Sequence, residues 1–326
     1  MDEGRSEQFA RNDQLMEALT ELNTMLAGME RPSVEGLQRP IVFIVGCPRS
    51  GTTLMMQWLA ALGVFAYPSN LIARFYANPY VGVRVQQALH TYDSKKQIFP
   101  EVNAAGDFSS NYGHTSGALA PSEYWYFWRR FFHFGEIQYL HAFNGGSHDT
   151  LGFVKELALM EKAFDKPLLM KAMILNWNLP ELYNLFSKCL FIDVSRTPAD
   201  NAESLYFARQ SFFKDVSKWF SFKPPEYTRL KNLSPLEQVA GQVYFTRQAV
   251  NDGLAKIPAA SVLRVNYESF CTAPVEVYAA LADKMRVMGC ELPQYAGESH
   301  FKISETSRLA PAERATIEQY LAKLEE

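Results

Sequence analysis

The stretch Ile41-Val42-Phe43-Ile44-Val45-Gly46-Cys47-Pro48-Arg49-Ser50-Gly51-Thr52-Thr53-Leu54 decides the reading of this chain. Its first five residues are apolar and mostly β-branched. No polar residue alternates through them, so they read as a strand buried on both faces, the pattern of a parallel sheet. Gly46 to Gly51 is a turn-rich loop. Thr52 to Leu62 follows as a helix, with Leu54, Trp58, Leu59 and Leu62 on one side and Gly63 as its stop. The order strand, glycine-bounded loop, helix is the frame of a phosphate-binding loop, G-x-x-x-x-G. In such a loop the backbone N–H groups point at an anion, and the helix N-terminus adds positive potential.

Outward from this stretch, strands and helices alternate. Leu168–Met173, Cys189–Val194 and Ser261–Val265 read as further strands, with Lys171 near the carboxyl end of the first. Residues 180–187, 200–213, 236–254 and 275–288 read as helices, the third capped by Ser234 with Glu237 three residues on. This alternation predicts an α/β fold of three layers, a central parallel sheet with helices on both faces. Residues 1–39 are expected to form an N-terminal helical arm and linker. Leu15, Leu19, Leu22 and Leu26 line the helix over 7–28, and Pro32 and Gly36 mark the linker. Residues 40–326 then form a single domain, in which 64–165 is a helical, aromatic-rich insertion. The block Tyr124-Trp125-Tyr126-Phe127-Trp128 with Phe131-Phe132 reads first as core, although aromatic faces also bind rings and sugars.

Composition narrows the function. The 326 residues are 48% hydrophobic and 21% charged, which excludes a disordered or fibrous chain. With 32 basic and 35 acidic residues the net charge is -3, unlike a dedicated nucleic-acid binder. No apolar run approaches the roughly 18–20 residues of a membrane span, and the start Met1-Asp2-Glu3-Gly4-Arg5 is acidic and polar; a cytoplasmic protein is expected. The four cysteines (Cys47, Cys189, Cys271, Cys290) show no C-x-x-C spacing, which argues against a zinc site or a disulfide framework and for a reducing compartment.

The loop departs from the nucleoside-triphosphate pattern in one telling place. That pattern sets Lys after the second Gly, beside the β- and γ-phosphates and Mg²⁺. Here Thr52 stands there, and the cation lies inside the loop, at Arg49. Such a loop suits a donor whose reactive group leaves a single phosphate without a metal. Pro48-Arg49-Ser50-Gly51-Thr52-Thr53-Leu54 resembles the 5′-phosphosulfate loop of sulfotransferases that use 3′-phosphoadenylyl sulfate (PAPS). Many members have Lys where Arg49 stands; the Arg form resembles the tyrosylprotein and bacterial members. Phe191-Ile192-Asp193-Val194-Ser195-Arg196, with Ser204 eight residues on, resembles the family's 3′-phosphate site. Val265-Asn266-Tyr267-Glu268 resembles the strand-end Tyr-Glu whose Tyr contacts adenine.

The resemblance implies a cosubstrate, PAPS, no metal, and a P-loop fold. Donor binding would fall to Pro48, Arg49, Ser50, Gly51, Thr52 and Thr53 of the loop, and to Arg196, Ser204 and Tyr267. Lys171 matches a family Lys beside the donor's bridging oxygen, where it would neutralise charge on the leaving phosphate together with Arg49. The base is less directly marked. The His that some members carry after this Lys is absent, since Ala172-Met173-Ile174 follow Lys171, and no Glu lies between Gly63 and Pro100. Glu123, ahead of the aromatic block, is the first candidate. His114, a residue type that titrates near neutrality, is the second.

The acceptor is expected to be a hydroxyl of a saccharide or glycolipid, in a cleft lined by 124–134 and by 67–80 with Arg74. The segment from Lys302 to Arg308 is expected to close over the 3′-phosphate, and a homodimer through the N-terminal helix is possible on the sequence alone. No nucleic-acid partner is expected. Two rivals remain at this stage: a P-loop kinase using ATP, and a non-catalytic PAPS-binding protein that lacks the base.

Overall fold

The computed structural model describes residues 5–93, 95, 110–111, 114–141, 143, 148–303 and 308–326, with the backbone alone at 8, 110, 111 and 114. Four parallel strands make the main sheet: β1 Ile41–Gly46, β4 Leu169–Lys171, β5 Cys189–Ser195 and β6 Val262–Asn266, in the order β4-β1-β5-β6. β2 Ser110–Asn111 and β3 His114–Thr115 form a small antiparallel pair elsewhere. From β1 the chain reaches β4 on one side and β5 on the other, so the topology reverses at the carboxyl end of β1. Open α/β sheets bind their ligands in such a crevice.

Strand residues alternate between two cores. Ile41, Phe43 and Val45 of β1, all fully buried, pack with Met170, Phe191 and the aromatic block. Val42 and Ile44 pack on the other face with Leu190, Ile192 and Val194 and with Met55 and Leu59. Burial on both faces is why β1 carries no polar residue. The aromatic block is core as expected: Tyr124, Phe127, Trp128, Phe131 and Phe132 are buried, and Trp125 and Tyr126 are the members that reach the surface.

The helices are α1 Asp13–Ala27, α2 Thr52–Ala61, α3 Pro79–Gln86, α4 Trp125–Phe131, α5 Thr150–Phe164, α6 Leu179–Tyr183, α7 Pro198–Phe213, α8 Tyr227–Leu230, α9 Pro235–Leu254, α10 Tyr267–Thr272, α11 Pro274–Val287 and α12 Pro311–Glu325. Ser234 caps α9 in a reciprocal box with Glu237, as its sequence predicts. The arm differs from the single helix expected over 7–28: a 3₁₀ turn over Glu7–Phe9 precedes α1. Leu19, Asn23 and Leu26 bury one face of α1 on the chain's own body. Asn23 donates to the Arg74 carbonyl and accepts from the Ala77 N–H, both at 2.8 Å. Phe9 stacks on Phe212 of α7 with ring centroids 4.5 Å apart. The Arg74 stretch, expected along the acceptor cleft, anchors the arm through its backbone.

Candidate functional site

Parallel register brings the carboxyl ends of the four strands together. Ile44 aligns with Lys171, Gly46 with Val194, and Ser195 with Asn266. The loop after β1, Lys171 at the end of β4, Arg196 after β5 and Tyr267 after β6 are therefore neighbours by topology.

The loop needs its glycines. Gly46 has φ 133°, and a Cβ there would meet the Val194 carbonyl oxygen at 2.4 Å. Gly51 has φ 102°, and a Cβ there would meet Cδ2 of Tyr267 at 2.3 Å. Between them Arg49 holds φ 69°, which a non-glycine residue rarely adopts. Two asparagines brace the loop from beneath. Asn176 donates to the Gly46 carbonyl at 2.8 Å, and Asn201 donates to the Pro48 carbonyl at 2.6 Å. Gly51 then opens α2, ten residues long, whose first N–H groups face the loop.

The donor candidates fall into two groups. Arg49 donates from Nε to Oγ of Ser204 at 3.4 Å. Arg196 lies over the Tyr267 ring, 4.9 Å from its centroid, with Nε 3.7 Å from a Glu268 carboxylate oxygen. Both Glu268 carboxylate oxygens are buried without a hydrogen-bond partner, and so is Arg196 Nε. Ser204 and Arg196, expected as one grip, have different partners here: Ser204 meets Arg49, and Arg196 meets Tyr267 and Glu268. Thr52, at the position of the nucleoside-triphosphate Lys, donates to Met173 Sδ at 3.2 Å. Ser50 is fully buried, and its Oγ has no partner.

Lys171 is 7% exposed, so its charge must be paired. Its ammonium reaches Glu123 Oε1 at 2.5 Å and Thr53 Oγ1 at 3.1 Å. Glu123 takes a second bond at its other oxygen, from the Trp125 indole N–H at 2.8 Å. Tyr124 between them is left-handed, φ 59° and ψ 36°, which lets Glu123 and Trp125 turn to the same side. Lys171, Glu123 and Trp125 of this chain border a small cleft with Met173, Ile174 and Phe222 on its walls. The first base candidate thus lies against the strand-end lysine. For the second, His114 pairs through its backbone with Asn111, and its side chain lies outside the described residues, as do residues 304–307 of the C-terminal segment expected to cover the donor. Arg308, just beyond, donates its N–H to Glu203 on α7.

Three features escape a reading of the sequence. Asn176 brackets Gly46 from a 3₁₀ turn, and its only signal is a polar residue within an apolar run. The Trp125–Glu123 bond has no signature. Asp193, inside the buried β5, accepts from Arg264 at 2.8 Å across the register pair of β5 and β6. Burial raises the Asp193 carboxyl above its usual range, and Arg264 and Arg247 pull it partly back. Burial likewise pushes up the Cys47 thiol at the foot of the loop, so it stays neutral there.

Among the described residues no helix is long and apolar enough to cross a membrane. The fold resembles that of the sulfotransferase STF9 from Mycobacterium avium at TM-score 0.51 and 13% identity, covering 96% of this chain and 76% of that one. The sulfotransferase STF1 from Mycobacterium tuberculosis H37Rv aligns at TM-score 0.48 and 12% identity, over 95% of this chain and 81% of that one. A sulfotransferase from Alicyclobacillus acidocaldarius aligns at TM-score 0.46 and 15% identity, over 88% and 93%. No curated protein matches the chain. Residues 40–288 match the sulfotransferase family, a span that runs from β1 to the end of α11 and holds the loop with Arg49, the strand-end lysine with Glu123, and Arg196; the chain belongs to the sulfotransferase family and is a transferase.

Proposed function

We propose that this sulfotransferase takes its sulfuryl group from PAPS and delivers it to a hydroxyl, with Glu123 as general base. The observation that carries the reading is the chain Thr53–Lys171–Glu123–Trp125 at the carboxyl edge of the sheet. It joins the anion loop to a carboxylate through one buried cation. Glu123 holds two of its lone pairs on Lys171 and Trp125 and keeps others for an acceptor O–H. The acceptor oxygen gives its proton to Glu123 and forms a new O–S bond. The bond from sulfur to the bridging oxygen breaks, and adenosine 3′,5′-bisphosphate leaves with the electron pair. Lys171, Arg49 and the loop N–H groups stabilise that developing charge from fixed positions. Arg196, stacked on Tyr267, is assigned to the 3′-phosphate. Trp125, half-buried beside the base, offers a ring face to a saccharide or glycolipid acceptor. The free thiols of Cys47, Cys189, Cys271 and Cys290 suit work in a reducing, cytoplasmic setting.

Calorimetric titration with adenosine 3′,5′-bisphosphate in EDTA tests the donor half. Wild type should bind, and Arg196→Ala should bind more weakly by about 1.5–3 kcal/mol, the worth of a hydrogen bond to a charged group. Absence of binding to wild type, with Mg²⁺-dependent uptake of ATP instead, would overturn the donor assignment in favour of a kinase. Glu123→Gln tests the base. Turnover should drop by about 10²–10⁴-fold while bisphosphate binding persists. Turnover that survives this change would remove Glu123 from the role.

A further inference from the structure

The cleft beside Glu123 has a free volume of about 10 Å³, room for a single water-sized group. Its walls are fixed. Met173 and Ile174 come from the 3₁₀ turn that follows β4, and both are buried. Phe222, on the loop between α7 and α8, is buried too and lies against Trp125 with ring centroids 5.3 Å apart. Its carbonyl accepts from Gln242 Nε2 at 2.9 Å and from the Trp219 indole N–H at 3.0 Å, which holds the loop in place. These walls offer little to a second hydroxyl. Ile174 and Phe222 have no polar side-chain atom, and Met173 Sδ already accepts from Thr52. One donor stands open. Trp128, the remaining wall residue, is 1% exposed and packs on Phe132 and Phe153. Among the described residues its indole N–H has no hydrogen-bond partner. An indole N–H only donates, so it calls for an oxygen lone pair.

Resting on the reading of Glu123 as the base, we propose that the sulfated group is a primary hydroxyl, a CH₂OH, and that Trp128 receives its oxygen. A primary hydroxyl brings one slender methylene to the cleft. Its oxygen then reaches Glu123 while the body of the acceptor stays outside, at the half-buried Trp125. A secondary hydroxyl sits on a ring carbon with two carbon neighbours, which would have to enter a space that fixed walls deny. The hydroxyls next to it on the ring would be buried there without partners, at a cost in free energy. The primary oxygen has a use for each of its four tetrahedral directions. One holds its carbon and one holds the proton that passes to Glu123. One lone pair accepts from the Trp128 N–H, and the other forms the bond to sulfur. The bridging S–O bond breaks, and its electron pair leaves on the bisphosphate.

The test offers the whole chain PAPS with three probes: octyl β-glucoside, octyl β-xyloside, which is the same ring without the exocyclic CH₂OH, and octan-1-ol. The glucoside should be sulfated on its exocyclic carbon, as read by NMR of the product, and the xyloside should react about 10²-fold more slowly or worse. Sulfation of octan-1-ol alone would also support the primary hydroxyl, while removing the sugar. Phe222→Ala, which opens the wall, should narrow the preference for glucoside over xyloside by about tenfold, and Phe222→Leu should narrow it less if the first variant does not fold. Trp128→Phe keeps a ring and loses the N–H. It should raise the KM of the preferred probe by about two- to tenfold while adenosine 3′,5′-bisphosphate binds as before. Sulfate on a ring hydroxyl, a xyloside as good as the glucoside, or a KM unmoved in folded Trp128→Phe would each overturn the proposal. So would transfer to none of the probes. Bisphosphate titration of the same sample separates the two failures: binding leaves the donor reading standing, and its absence brings that reading down as well.

Discussion

Gly51 is where one atom decides most. Its φ of 102° disfavours any side chain, and a methyl there would lie 2.3 Å from the Tyr267 ring. Gly51→Ala must either open the loop or displace Tyr267, on which Arg196 rests. Backbone strain of this kind costs about 1–3 kcal/mol. Bisphosphate affinity, read by calorimetry, should fall by a corresponding factor of roughly 5–150. Binding at wild-type strength would show that the loop tolerates the methyl. At this scale much of the site is readable in the chain. Arg49 stands out because it puts the loop's cation between the two glycines rather than after the second, Lys171 because it interrupts an apolar strand, and Arg196 because it ends one. Glu123 is readable only as an acid ahead of aromatics. Its partners Lys171 and Trp125 are joined to it by the fold, the first from 48 residues away. The left-handed turn at Tyr124 that aims it has no sequence mark, since tyrosine has no preference for that conformation.

The strands are legible because burial on two faces leaves a continuous apolar run, and each of the four expected runs is a strand. Helices with strong caps are legible as well. Ser234 on α9 accepts from the Glu237 N–H while Glu237 reaches back to the Ser234 N–H. Ser234→Ala should lower stability by about 1 kcal/mol, visible as an earlier urea midpoint at unchanged slope. An unchanged midpoint would mean that packing against α7 and α12 already holds this helix end. α10 and α12 are harder to read. α10 is six residues long and begins where the strand ends, with the Asn266 side chain accepting from the Ser269 N–H. α12 buries only Ile317 and Leu321, so its apolar stripe is too thin to show against a polar tail. α5 is harder still, because it buries Glu156 and Glu161 beside Phe153, Leu157 and Met160, which blurs its apolar stripe.

For the whole molecule, the buried carboxyl of Asp193 ties stability to pH. Burial raises it above the usual range, against the pull of Arg264 and Arg247. The unfolded chain releases this proton near pH 4. The folded chain keeps it to higher pH and so binds more protons in the window between the two values. Stability contributed by this group therefore falls as pH rises from about 4 through the folded value. Across that window the thermal midpoint of wild type should fall relative to that of Asp193→Asn as pH rises, because the amide has no proton to lose. Parallel curves would show that Asp193 is ionised throughout. The arm acts at this scale too. Arg31 joins Glu156 of α5 at 2.8 Å while Phe9 grips α7, so residues before β1 clasp two separate parts of the domain. A dimer through α1 would have to use its other side, where Leu15 and Met25 are exposed.

The contact between Gly51 and Tyr267 has a consequence for the history of the chain. The two positions share one van der Waals shell, although one opens the first helix of the domain and the other follows its last strand. What either may become depends on what the other already is. A smaller ring at 267 would make room for a methyl at 51 but would strip the platform from beneath Arg196, while a larger one would crowd the loop. Drift at the two sites is therefore a single event spread over two codons.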